Sequence, residues 1–514
     1  MYLNENYFYN RLAYQLIHDH HFEIIYINSM QTEMVLEKKI KGSSHVVRLM
    51  HRQFDWRNHL QLDVDQTVMK LSKLKQFILG NGVHVHNIYI AEKPPVDEWE
   101  SIKKTIELKN RKFTKLSTYY ADELDRKAEI NRFFDYIGLD FKPIDYPDNE
   151  LEMERLTHYL KTMVAGEFQK KQNETESLFR NGKPRLTYFI LIANIILFVW
   201  MELNGGTNSA TTLIQYGAKY NPAILDGEWW RIITSMFIHI GLLHLVMNMF
   251  ALYYVGSAVE QIYGNIRFFV IYFLAGILGS LTSFALNPQL AAGASGAIFG
   301  LFGALLFFGL IHRRVFFQTM GKNIIFVIVF NIIFGFSIPE IDNGAHLGGL
   351  LGGFLGASIV NLPKKNKFLI QGIALLSYLC ITTGFVIYGT SNSTVDETLF
   401  IQQSQELIQK QEYNQVIDLT TDAMEYADTY EAELLFNRAY AYIKENRVEA
   451  AQKDLESVVE MKPEFAEAHY NLSLIYNNQR KFEKALEHVE KALELQPNKR
   501  DWQELHQRLL EAVG

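Results

Sequence analysis

One cysteine, Cys380, is all that 514 residues contain, so neither a disulfide framework nor a cysteine-based zinc site can hold a domain together, and folding rests on burial. A long basic tract is also missing and the formal net charge is -7, which argues against a nucleic-acid partner. The N-terminus, MYLNENYFYNRLAYQLIHDHHFEI, carries charges and tyrosines where a secretory signal needs a short unbroken apolar stretch. The chain is therefore expected to start in the cytoplasm.

What is present is unevenly spread. The mean hydropathy of -0.05 is that of a soluble protein, yet the apolar residues crowd between about Leu186 and Tyr388 while both flanks are rich in charge. The chain is also too long for one core, and three parts are expected: 1–180, 181–390 and 391–514. From Phe22 to Glu92 short runs alternate apolar and polar residues, FEIIYINS, EMVLEKKI, HVVRLMH and HVHNIYIAE, around a helix-period segment near Leu60 to Leu79. This predicts a small N-terminal α/β domain. Charged, helix-compatible segments from Asp148 to Arg180 lead to Asn181, Gly182, Lys183 and Pro184, which mark the boundary.

Seven apolar spans follow, at about 186 to 203, 238 to 257, 266 to 286, 295 to 312, 323 to 339, 344 to 361 and 368 to 388. Each is close to the roughly 20 residues a helix needs to cross the hydrocarbon. Basic residues mark one face: Arg180, Lys183 and Arg185 before the first span, Arg313, Arg314 and Lys322 after the fourth, and Lys364, Lys365 and Lys367 after the sixth. The loops NPQLAAGA and SIPEIDNGA contain no Lys or Arg. The N-terminal domain is thus expected inside and the C-terminal part outside.

Beyond Thr394 a 34-residue period relates Pro463 to Pro497, Ala451 to Ala485, Tyr442 to Tyr476 and Ala439 to Ser473. That period resembles tetratricopeptide repeats, helix pairs that bury by stacking the faces a lone pair leaves open. A degenerate earlier repeat is expected around Phe400 to Glu431.

Hydrogen-bonding side chains inside a membrane span are costly and point to function until a structural partner is found. The second span opens HIGLLHLVMN, with His239 at its mouth and His244 and Asn248 one turn apart on a shared face. The fourth opens GASGAIFG with Ser295 at its start, and the sixth opens AHLGG with His346 near its start. The second, fourth and sixth spans run in the same direction, so these groups share a depth just below the outer surface, where a water-filled cavity can reach them.

Gly296 and Gly300 on the fourth span, and Gly348, Gly352 and Gly356, or Gly349 and Gly353, on the sixth, form stripes that let helix backbones approach closely. Close approach is what a serine and a histidine on different helices need to come within about 2.6 to 3.2 Å. His346 would act as general base on Ser295 and then as general acid to the leaving amine. No acidic residue in the membrane is an obvious third member. Backbone N–H groups at the helix start, with His244 and Asn248, would face a developing oxyanion. Against this stand bland readings: such side chains often only tie helices together, a transporter would use them as a path, and a scaffold would not need Ser295.

The stretch EWWRIITSMFIHIGLLHLVMNMF, then GASGAIFG, then AHLGGLLGG, resembles the rhomboid intramembrane serine proteases from about 186 to 361. The resemblance implies Ser295 as nucleophile between Gly293 and Gly296, His346 as base, His244 and Asn248 lining the oxyanion hole, and Trp230 and Arg231 as structural residues of the first outer loop. It also implies transmembrane protein substrates in a bacterial plasma membrane, without metal or organic cofactor. The expected fold is a polytopic α-helical membrane protein, a six-helix rhomboid core plus a seventh helix, with a small N-terminal α/β domain and a C-terminal α-helical repeat domain. That layout is similar to the GluP-type bacterial rhomboids. The repeats would bind a partner protein, and His18, His20, His21, His84 and His86 leave metal sensing or substrate docking open for the N-terminal domain.

Overall fold

The computed structural model describes residues 3–75, 77–78, 80–338, 341–363, 367–392 and 395–513; Leu79, Lys364, Lys365 and Thr394, used above, lie outside the described residues. The chain forms two compact units, Met1–Phe179 with Ile311–Lys322, and Arg180–Leu310 with Asn323–Gly514.

The first unit opens with α1 (Leu3–Tyr14) and a meander of β1 (Glu23–Ile27), β2 (Glu33–Ile40) and β3 (Ser43–His51). Then come α2 (Arg57–Lys73), β4 (Val83–Ile90), β5 (Ile106–Glu107), β6 (Phe113–Ala121), α3 (Arg126–Ile137) and α4 (Glu150–Ser177). The sheet order is β1-β2-β3-β4-β6-β5, antiparallel through β3 and parallel from β3 to β4 to β6. The four short runs of the sequence supply β1 to β4, and β3 and β4 are buried along almost their whole length, so both faces of the sheet need cover. One face takes Tyr9, Leu12, Phe133 and Phe134, and the other takes Leu60, Val64 and Leu71 of α2. Arg48 is buried between the sheet and α2, with Nε donating to Glu33 and Nη1 to Asp63, both at 2.6 Å, and the Tyr89 hydroxyl donating to Asp63 at 2.7 Å. A charge so buried is tolerable only because every partner is in place.

In the second unit, α5 (Arg185–Leu203) leads to a loop holding α6 (Ala210–Gln215), α7 (Asn221–Leu225) and α8 (Arg231–Thr234). Next come α9 (Gly241–Ala251), which passes through a wide turn into α10 (Ser257–Tyr263), and then α11 (Asn265–Leu286) and α12 (Ser295–Ile311). The short α13 (Arg313–Thr319) belongs to the first unit. The last apolar helices are α14 (Gly321–Phe336), α15 (Asn343–Val360) and α16 (Phe368–Asn392). Each of the seven apolar stretches is therefore mostly helical among the described residues. Among the described residues four helices, Arg185–Leu203, Gly241–Tyr263, Asn265–Leu286 and Phe368–Asn392, are long and apolar enough by themselves to cross a membrane. α12 and α14 are shorter, and α15 is diluted by glycine. α16 is tied in by the Tyr378 hydroxyl, which donates to Leu274 O at 2.9 Å, and by Gln371, which donates to Ile359 O at 2.8 Å.

The repeats are the helix pairs α17 (Glu397–Gln409) and α18 (Tyr413–Ala423), α19 (Glu431–Lys444) and α20 (Val448–Met461), α21 (Ala466–Asn478) and α22 (Phe482–Leu495), closed by α23 (Arg500–Val513). The small residues that share the 34-residue period are those at the tight crossings. Ala439, Ala451, Ser473 and Ala485 are wholly buried, and the Ser473 hydroxyl donates to Ala485 O at 2.7 Å.

Candidate active site

α12 and α15 pack backbone against backbone. A Cβ on Gly349 would overlap the Gly296 carbonyl oxygen, and one on Gly353 would overlap that of Gly300. A Cβ on Gly296 would stand 3.2 Å from Ala345 O. The residue after Ser295 thus touches the residue before His346, and the two side chains belong to facing first turns. The His346 ring lies flat on Phe299, with centroids 4.1 Å apart and planes 8° from parallel. Phe299 is one turn below Ser295 on the same helix face, so the stack ties His346 to the face of α12 that carries Ser295.

Gly293 carries the next contact. Its φ of +145° lies where L side chains rarely go, and a Cβ there would meet His244 Cε1 at 2.8 Å, His244 Nε2 at 3.0 Å and Ser295 Oγ at 3.8 Å. Glycine lets the His244 imidazole and the Ser295 hydroxyl converge on one stretch of backbone. Asn248 donates from Nδ2 to the His244 carbonyl at 3.0 Å. His239 lies just before α9, and its Nε2 accepts from Ala294 N at 3.4 Å, so it holds the approach to Ser295. Among the described residues no hydrogen bond joins Ser295 to His346, and His346 Nδ1 is buried without a hydrogen-bond partner.

Three residues of the site went unread in the sequence. Phe299 is one. Asp342 is another: its carboxylate caps α15 by accepting from Ala345 N at 2.8 Å and also takes a short bond from the Ser283 hydroxyl, so it is occupied in placing the helix that carries His346. Lys219, buried in the loop between α6 and α7, is the third. Asp342 had a signal, an Asp just before a helical stretch; Phe299 and Lys219 had none. A cavity of about 40 Å³ is lined by Lys219, Ser235, Gly293, Ser295 and Asp342 among others. Arg231 donates to Ile214 O at 2.6 Å and Ala218 O at 3.2 Å, pairs with Glu228, and lies 4.7 Å over the Trp230 ring. This arginine fastens the loop after α5.

In the first unit His84 and His86 gather with His45, whose Nδ1 is 3.0 Å from His86 Nε2, and not with His18, His20 or His21. Among the described residues no group of three or more His, Cys, Asp or Glu side chains is placed to hold a metal ion.

The Rhomboid domain family matches residues 226–362, and the Tetratricopeptide repeat family matches 436–500. Rhomboid protease GluP of Bacillus subtilis is 34% identical over 449 residues, covering 86% of this chain and 87% of its own length. The chain belongs to the rhomboid protease family. Putative rhomboid protease YdcA of the same organism is 35% identical over 181 residues, 35% of this chain and 89% of its own, and RHOMBOID-like protein 6, mitochondrial, of Arabidopsis thaliana is 38% identical over 162 residues, 30% of this chain and 52% of its own. This rhomboid is an intramembrane serine protease, a hydrolase of peptide bonds, built as an apolar helical core with a small sheet-containing domain before it and helical repeats after it.

Proposed function

We propose that Ser295 is the nucleophile, that His346 is its general base and then the acid to the leaving amine, and that His244, Asn248 and the backbone at Ser295 form the oxyanion hole. The observation that carries this reading is the His346 ring stacked on Phe299, one turn from Ser295 at the start of the same helix. A helix start supplies free N–H groups and the positive end of the dipole where negative charge develops. His244, meeting Gly293 beside the Ser295 hydroxyl, supports its role as a further donor. Gly293 and Gly296 serve by having no side chain, and Trp230 and Arg231 hold the loop without touching the chemistry.

The substrates are transmembrane segments of other proteins, cut near the outer face of the bacterial plasma membrane. A peptide bond in an intact helix is shielded, so a segment that unwinds near its end presents itself best. The basic loops favour a cytoplasmic N-terminus and an extracytoplasmic C-terminus, with domains at 1–180, 181–390 and 391–514. The repeats offer a surface to a protein partner. The test is cleavage of a tagged single-span substrate by purified protein, native against Ser295→Ala and His346→Ala. Product from the native chain alone is expected, whereas equal product from all three would replace the reading with a scaffold or transporter.

A further inference from the structure

Lys219 stands where a lysine is costly. Only 1% of it is exposed, and burial pushes its pKa down to about 8. Its ammonium donates to Asn287 O and Gln289 O, both at 2.7 Å, and to Asn221 Oδ1 at 3.2 Å, three acceptors for three N–H groups. Its backbone makes an isolated antiparallel bridge, with Lys219 N donating to Ala291 O at 2.8 Å and Ala291 N donating back at 3.1 Å. One residue therefore grips positions 287, 289 and 291 of the segment that runs into Ser295. The next ties, Gly293 N to Ser235 O at 2.9 Å and Ala294 N to His239, continue the same line to the serine.

Backbone pairing alone would explain the bridge to Ala291. It does not explain a cation. Two carbonyl oxygens aimed at one point repel each other, and a buried charged donor draws both in more strongly than a neutral one, such as the Asn221 amide that reaches the Asn287 carbonyl at 3.4 Å. Lys219 and Ser295 also line the same cavity. We propose that Lys219 is a positioning residue for the nucleophile: its ammonium gathers the Asn287 and Gln289 carbonyls and so sets where the segment delivers Ser295. This rests on the reading of Ser295 as the nucleophile. Lys219 touches no reacting atom, and its loss acts on the reacting step more than on substrate binding.

The test uses the full chain in liposomes, native against Lys219→Met, which keeps the length and loses the charge, and Lys219→Gln, which keeps donors. Three readouts are taken: the rate at which a fluorophosphonate labels Ser295, kcat against KM for a single-span substrate, and Tm. The fluorophosphonate reports the hydroxyl's placement without substrate recognition. In Lys219→Met both labelling rate and kcat should fall about 10- to 100-fold, the scale of a nucleophile misplaced by an ångström, with KM within about twofold, and Lys219→Gln should fall between Met and native. Should the Met variant fail to fold, Lys219→Gln decides alone: labelling slowed about 3-fold or more supports the proposal, and a native rate overturns it. Native labelling and kcat in Lys219→Met, or a change confined to KM, would overturn it too. Label found on the native protein elsewhere than Ser295 would instead overturn the nucleophile reading, and this proposal with it.

Discussion

A donor that meets charge only in the transition state is read in kcat. In the proposed oxyanion hole His244, set against Gly293 near the Ser295 hydroxyl, has that role, so His244→Ala is expected to lower kcat about 10²- to 10³-fold with little change in KM. Asn248→Ala should cost less, because its amide already donates to the His244 carbonyl; steady-state cleavage of one substrate by both variants checks the order. In the first unit, burial lowers His45 to about 4, holds His86 well below its ordinary value and lowers His84, with Lys115 adding to the last. The unfolded imidazoles take protons near pH 6.5 while the folded ones stay neutral, so stability is present above 6.5 and lost as pH falls toward about 4. Amides of β3 and β4, corrected for intrinsic exchange, should exchange faster at pH 5 than at pH 7, and His86→Phe should flatten that difference. Ser295, His346 and His244 were legible because polar groups in an apolar span are conspicuous. Phe299 and Lys219 were not, since a phenylalanine among apolar residues and a lysine in a loop acquire meaning only from what folding places against them.

At the scale of elements, the glycine pattern of α15 held two stripes that the sequence could not assign to neighbours. They divide the helix between two partners. Gly349 and Gly353 face α12, against the carbonyls of Gly296 and Gly300, while Gly348, Gly352 and Gly356 face α11, against Thr282, Leu278 and Leu274. A periodic pattern shows that two faces are small; it does not show which helix each face meets, because that depends on contacts far apart in the chain. The cost of a methyl is correspondingly uneven. Gly353→Ala would drive a Cβ into backbone that has nowhere to go, whereas at Gly356 the nearest atoms are 3.5 Å away. Overpacking of this kind costs about 1–3 kcal/mol or more. Gly353→Ala should therefore lower Tm and cut cleavage more than tenfold, with Gly356→Ala keeping a near-native Tm and cleavage within about twofold of native. Equal loss in the two variants would mean that the stripes serve general thinness and not this crossing.

For the molecule as a whole, the 34-residue period located the helix pairs and small residues of the repeats, yet nothing in it announced where the first pair rests. Glu406 of α17 receives the Ser209 hydroxyl at 2.8 Å, the Ala210 N–H at 3.1 Å and the Thr211 hydroxyl at 3.0 Å, and Phe400 meets the Tyr220 ring at 6.5 Å. These residues are nearly two hundred apart in sequence, and one glutamate among many carries no local signal. Burial alone would raise the Glu406 carboxyl, but the donors from Ser209, Ala210 and Thr211 outweigh it and hold its pKa below the ordinary value. A carboxylate so held is stabilising above its unfolded pKa near 4.3, and that stability is lost as pH falls through the lower folded value. The repeats are thus clasped to the loop that also contains Lys219 and Arg231. Glu406→Ala removes the acceptor for four donors of the loop at once, so amide exchange at Ser209 to Thr212 should quicken about tenfold or more, a loss on the order of 1.4 kcal/mol. Glu406→Gln, which keeps an oxygen but not the charge, should fall between. Exchange unchanged in Glu406→Ala would mean that the Phe400 and Tyr220 contact suffices, and the double variant with Phe400→Ala would then be the one to release the repeats.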